Sequence, residues 1–228
     1  MSYSDTLIYR SAAQINEAMG RVYGYMGLAT LVSLFVSYVV GSSPELVQFF
    51  FTGWMKWVTI LSPLVAVVLI TIALNSNPPK EMALFMLVLF AGIMGLSFAV
   101  IFAVYTMASI VSAFMGSAVL FGTMSIYGYF TKQSLDSLGK FLFVGLIAIV
   151  IASIINLFIG STVGQMVISA LAVIIFLGLT AYDTQKIREQ LMDSSDSTVA
   201  EVSGALTLYL DFINIFLSLL QLFGNKKD

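Results

Sequence analysis

The sequence predicts an all-α integral membrane protein: a bundle of seven transmembrane helices whose seventh is central and carries a polar stripe. Three observations carry that prediction. Charge is too sparse to cover a water-facing surface, since only 10% of the 228 residues are charged and 59% are hydrophobic, against roughly 25% charged in a soluble domain. Four charge-free stretches have lengths that fit one or two membrane crossings each. The last apolar segment gathers its polar side chains on a single helical face.

The charge-free stretches set the spans. Val22–Pro44 and Trp57–Pro79 are each long enough for one, whereas Met82–Thr131 and Phe141–Tyr182 run for fifty and forty-two residues. A helix crosses the hydrocarbon in about 20 apolar residues, so the two longer stretches hold two spans apiece, with breaks expected at Tyr105–Ser109 and Gly160–Gln165. The spans are therefore Val22–Gly41, Trp57–Asn75, Met82–Ala103, Ser109–Phe130, Phe141–Gly160, Val163–Asp183 and Gly204–Phe223. Residues 1–21 form an N-terminal tail, 22–225 a single transmembrane domain, and 226–228 a C-terminal tail. Strands do not fit, because the runs lack the alternation a transmembrane barrel requires, and backbone groups in hydrocarbon must bond internally.

Too long for a cleaved signal core, the first apolar run reads as a retained signal-anchor. With the N-terminus inside, the inner segments carry Arg10, Arg21, Lys80, Lys132, Lys140, Lys186 and Arg188, and the outer ones Lys56, Lys226 and Lys227. That bias favours a cytoplasmic N-terminus. A seventh segment that dips in and returns would bring the last two lysines inside as well, so a re-entrant form competes with a seventh span. The polar connection Lys186–Ser203 is expected to be an exposed loop, with a helical continuation of the sixth span at its start.

Composition also excludes chemistry. The chain has no cysteine and no histidine, which removes thiolate nucleophiles, disulfides, Cys- or His-ligated metals and the usual near-neutral base. Net charge is −2, which gives nucleic acid nothing to hold. The lipid bilayer is the expected environment, no cofactor is required, and a monomer is expected.

The seventh segment places Gly204, Thr207, Asp211, Asn214, Ser218, Gln221 and Asn225 at alternating spacings of three and four, which share one helix face. Hydrocarbon penalises such a stripe, so it must face protein or water. Small residues for close packing stand at Gly92, Gly95, Ala99 and Ala103 of the third span. Asn156 of the fifth span is a further candidate for lining an interior path.

Asp211 is the charged residue placed firmly inside a span, and an aspartate at that depth costs about 2.5–3.5 kcal/mol on insertion scales. Its expected partner is Asp183: each lies seven residues from a helix end taken at Gln190 and at Gly204, about 10 Å in from the same side. Two carboxylates in one low-dielectric site cannot both ionise cheaply, so they are expected to titrate as a unit. Calcium would compete with that proton, with Asp183, Asp211, Asn214, carbonyls and water as oxygen ligands; Thr207 and Ser218 line the same path. The bland alternative is that the acids bond across helices, protonated or paired with Lys186 or Arg188.

The strings AYDTQKI at Ala181–Ile187 and LTLYLDFINIFLSLLQLFGN at Leu206–Asn225, with Thr131–Lys132 and the fifth span after it, resemble the Bax-inhibitor (TMBIM) family in its bacterial branch. The resemblance implies six helices around a central seventh and a calcium leak gated by protonation of two aspartates, which fall on Asp183 and Asp211. In some relatives an arginine at the end of the second span latches onto the pair; here Asn75, Ser76 and Asn77 occupy that region, and Lys80 is the candidate substitute. The bacterial branch also implies an inner-membrane location and a regulatory partner, a membrane-bound AAA protease, while eukaryotic relatives suppress cell death. An intramembrane aspartyl protease is the enzymatic alternative. It is disfavoured because the second aspartate sits in YLDF, without flanking glycine, and the Pro-Ala-Leu element is missing, so no enzyme activity is expected.

Overall fold

Ser11 opens the first helix: its hydroxyl accepts from the amide of Gln14, whose side chain accepts the Ser11 amide in return. In this computed structural model, residues 11–193 and 197–227 are described, Asp193 and Ser197 by backbone only. Helix α1 runs Ala12–Gly41, so it starts ten residues ahead of the expected first span. A short helix, α2 (Pro44–Phe51), follows with Ser43 as cap and Pro44 in its first turn; sequence reading did not anticipate it. Then come α3 (Met55–Leu74), α4 (Lys80–Val104), α5 (Met107–Phe130), α6 (Asp136–Ile159), α7 (Thr162–Asp193) and α8 (Ser197–Phe223). All but α2 are long and apolar enough to cross a membrane.

The breaks fall where turn chemistry puts them. Thr106 caps α5 through its hydroxyl, and Gly160 ends α6 in the left-handed conformation at φ 69°, which glycine adopts without steric cost. Pro63 lies inside α3 and leaves the carbonyl of Thr59 without its helical donor. The hydroxyls of Ser62 and Ser97 take up that oxygen, as hydrocarbon requires of any freed backbone group.

The seventh expected span is continuous. Helix α8 has 27 residues, about 40 Å at the helical rise, which exceeds a hydrocarbon core of roughly 30 Å; the re-entrant alternative is set aside. Helix α7 also continues through Asp193, so most of the expected Lys186–Ser203 loop is helical. Ser194, Ser195 and Asp196 lie outside the described residues.

Helix α8 is the axis. It packs on α1, α4, α5 and α7, with α3 touching it lightly, while α6 leans on α7. Leu208, Tyr209, Ile215 and Leu220 are fully buried around it. Hydroxyls join these layers: Tyr209 lies 2.6 Å from Ser33 Oγ, which in turn reaches the Ala91 carbonyl at 2.8 Å, linking α8, α1 and α4. Gly95 supplies the close approach that small residues of the third span were expected to give, because a Cβ there would come within 2.6 Å of the Ser33 carbonyl oxygen. Gly92, by contrast, faces open space.

Candidate functional site

Helices α7 and α8 run antiparallel, and their facing residues bring Asp183 and Asp211 together. The two carboxyl groups lie within hydrogen-bonding reach of each other. Asp211 is buried, and its Oδ2 has no hydrogen-bond partner. Asp183 sits ten residues before the end of α7 and Asp211 fourteen after the start of α8, or about 15 and 21 Å. The pair thus lies further from the helix ends than the seven residues expected for each, because both helices extend further than expected.

Among the described residues, neither aspartate forms an ion pair with lysine or arginine. Lys186, one expected partner, is held instead by Asp136 at 2.6 Å and Glu189 at 2.8 Å. Arg188, the other, donates to the Tyr129 carbonyl and stacks on the Tyr129 ring. Lys80, the candidate substitute for the latch, is exposed at the start of α4 and forms no ion pair with the aspartates among the described residues.

Both acids line a cavity of about 1010 Å³ between α6, α7 and α8, with Leu64 of α3 at its side. Thr207, Asn214, Ser218 and Gln221 line it as well, so the stripe of α8 does face an interior space. Its two ends depart from expectation. Gly204 packs against Ile187, and Asn225 lies beyond α8, its amide donating to Ser109 Oγ and its carbonyl accepting from Thr106. Asn156 is likewise outside the cavity lining. Its side-chain amide donates to the Ser161 carbonyl and to Gln165, closing the α6–α7 turn. Within the cavity, Asn214 Nδ2 donates to the Leu210 carbonyl, which leaves Oδ1 one helical turn from Asp211 as an available acceptor. At the α6–α7 end, Gln221 Oε1 accepts from Gln165 at 2.6 Å and from Ser169 at 2.8 Å. At the other end the Tyr182 ring lies against Gly139, where a Cβ would come within 2.5 Å of ring atoms.

Sequence reading missed two polar connections. Glu201, assigned to a loop, belongs to α8 and is buried. The Arg21 guanidinium grips it with two bonds, Nε to Oε2 at 2.8 Å and Nη2 to Oε1 at 2.7 Å, while Nη1 binds Glu17. Near the dyad, Tyr23 meets Ser125 at 2.5 Å and Ser125 meets Thr184 at 3.0 Å, joining α1, α5 and α7. An arginine at the end of the polar N-terminal tail and a glutamate ten residues ahead of Asp211 were the available signals, but pairing across 180 positions has no local signature.

The family model described as "Inhibitor of apoptosis-promoting Bax1" matches residues 15–228. The chain belongs to the Bax-inhibitor family. Within that family it is 38% identical to the Inner membrane protein YbhL of Escherichia coli K12, over 98% of this chain and 97% of the relative. It is 35% identical to an uncharacterized membrane protein of Streptococcus pyogenes serotype M3, over 98% and 99% of the two chains. A Rickettsia prowazekii protein, also uncharacterized, is 33% identical over 94% and 92%. This is a multi-pass membrane protein of the Bax-inhibitor family, as its seven apolar helices require.

Proposed function

We propose that this Bax-inhibitor protein is a pH-sensitive calcium leak in which Asp183 and Asp211 hold either a shared proton or the passing cation. The carrying observation is a carboxyl pair with no ion-pair partner among the described residues, on the wall of a largely apolar cavity that the polar stripe of α8 also lines. Like charges so close are tolerated when a proton or a cation sits between them. Calcium, here the substrate, takes six to eight oxygens; the pair offers two carboxylates, Asn214 Oδ1 adds an amide oxygen, and Thr207, Ser218 and water complete a loose set. Among the described residues no group of three or more acidic side chains gathers, which suits passage better than storage. A proton between the carboxyls ties α7 to α8; its loss frees both acids for the ion. The N-terminus is cytoplasmic in this reading, which puts the larger share of lysine and arginine inside. The chemistry is conduction, not hydrolysis, and the chain acts as a monomer.

The test is calcium entry into dye-loaded proteoliposomes across pH, comparing wild type with Asp183→Asn and Asp211→Asn. Flux that follows pH in the wild type and ignores it in both variants supports the leak. No protein-dependent flux at any pH ends it and leaves the non-conducting regulator, with a membrane-bound AAA protease as the partner to seek.

A further inference from the structure

A second cavity, of about 500 Å³, lies between the end of α5, the α5–α6 connection and the last turns of α7, and neither aspartate lines it. Tyr129, Thr131, Lys132, Arg188 and Glu189 are among the residues lining it. The cationic side is the better supplied. Glu189 is engaged by Lys186 at 2.8 Å, and the nearby Asp136 by the same lysine at 2.6 Å. Lys132 and Arg188 form no ion pair among the described residues. Thr131 Oγ1 accepts from the Gln133 amide, which leaves its hydroxyl hydrogen to donate.

Arg188 is the most telling of these groups. Its guanidinium is stacked 5.1 Å from the Tyr129 ring centre, and Nη1 donates to the Tyr129 carbonyl at 3.2 Å. Nε is buried with no hydrogen-bond partner among the described residues. A buried guanidinium N–H left unmet calls for a bound group, and the Nε–Nη2 edge is the one that grips an oxyanion with two parallel bonds. The setting supplies the anion: the cavity opens where α5 leaves the apolar zone, and Phe130 at the end of α5 is 72% exposed, available to acyl chains beside a headgroup.

We infer that this cavity binds the phosphate of an anionic phospholipid headgroup, through the Arg188 fork, the Lys132 ammonium and the Thr131 hydroxyl. The inference stands independently of the leak. It also gives a role to the Thr131–Lys132 pair, which the aspartate site leaves unused. An anionic lipid here would clip the α5–α6 connection to the last turns of α7.

The full chain, released from nanodiscs of mixed phosphatidylglycerol and phosphatidylcholine, is examined by native mass spectrometry for retained lipid. Wild type is expected to hold one phosphatidylglycerol at least tenfold in preference to phosphatidylcholine. Arg188→Gln should lose that preference, and Lys132→Gln, at an exposed position that the fold does not depend on, should reduce it several-fold. Equal retention of the two lipids by wild type, or an undiminished preference in folded Lys132→Gln, overturns the proposal. So does retention of added inorganic phosphate without preference among lipids, which would assign the pocket to a free anion.

Discussion

Helix α8 buries two carboxyl groups ten residues apart, and the protein treats them in opposite ways. Glu201 is met by a guanidinium with two short bonds; Asp211 is met by another carboxyl, with one oxygen left without a partner. A buried acid with a matched cation fixes a position, and removing either partner strands a charge. A buried acid facing its own kind has no fixed counter-charge, and in the function proposed above it holds a shared proton or the passing cation in turn. One helix therefore carries an anchor near its first turns and, in that proposed function, a responsive site at its middle.

That contrast can be broken from either side. The largest effect is expected at the responsive site: Asp183→Asn or Asp211→Asn should abolish the pH response of calcium flux, while the unfolding midpoint in detergent stays the same or rises. A midpoint that falls sharply would make the pair an anchor after all. Glu201→Ala should do the reverse, lowering unfolding free energy by about 3 kcal/mol, somewhat less than a fully buried pair because Arg21 is one-third exposed. Any flux that survives should keep its pH dependence. Arg21→Met combined with Glu201→Leu should recover most of that stability, since an apolar pair of similar volume replaces a buried ion pair at little cost. Asn214→Ala removes a neutral oxygen beside the dyad and should lower calcium flux several-fold at fixed pH without moving its pH dependence. Tyr209→Phe should be smallest, about 1 kcal/mol in stability from the lost bond to Ser33, with transport unchanged.

The spans were legible because charge and length leave lipid-crossing helices few alternatives. The cavity-facing stripe was legible for the same reason: the spacing of Thr207, Asp211, Asn214, Ser218 and Gln221 is a property of one helix. The aspartate pairing could be argued from matched distances to the helix ends, although those distances were set too short, since nothing in polar runs such as Glu189–Met192 or Thr198–Glu201 shows that they are helical. Asn156 misled because a polar residue near a helix end serves a turn as readily as a pore. The Arg21–Glu201 fork and the Arg188–Tyr129 stack depend on which helices become neighbours. That is decided by close approaches such as Gly95 on Ser33, and these have no local pattern.

Helix α6 buries only Gly139 and Leu142 and is fastened chiefly at its first turn, by Lys186 on Asp136 and by Gln185 on the Leu135 amide. One wall of the aspartate cavity is thus a post set firmly at its foot and braced along a single side. The outward face of that post, from Phe143 to Ile159, is exposed, so in a bilayer its tilt answers to thickness and lateral pressure as well as to its contacts with α7. The width of the cavity then becomes a property of the membrane and the chain together, and its contents should change when the same protein is moved between thin and thick bilayers.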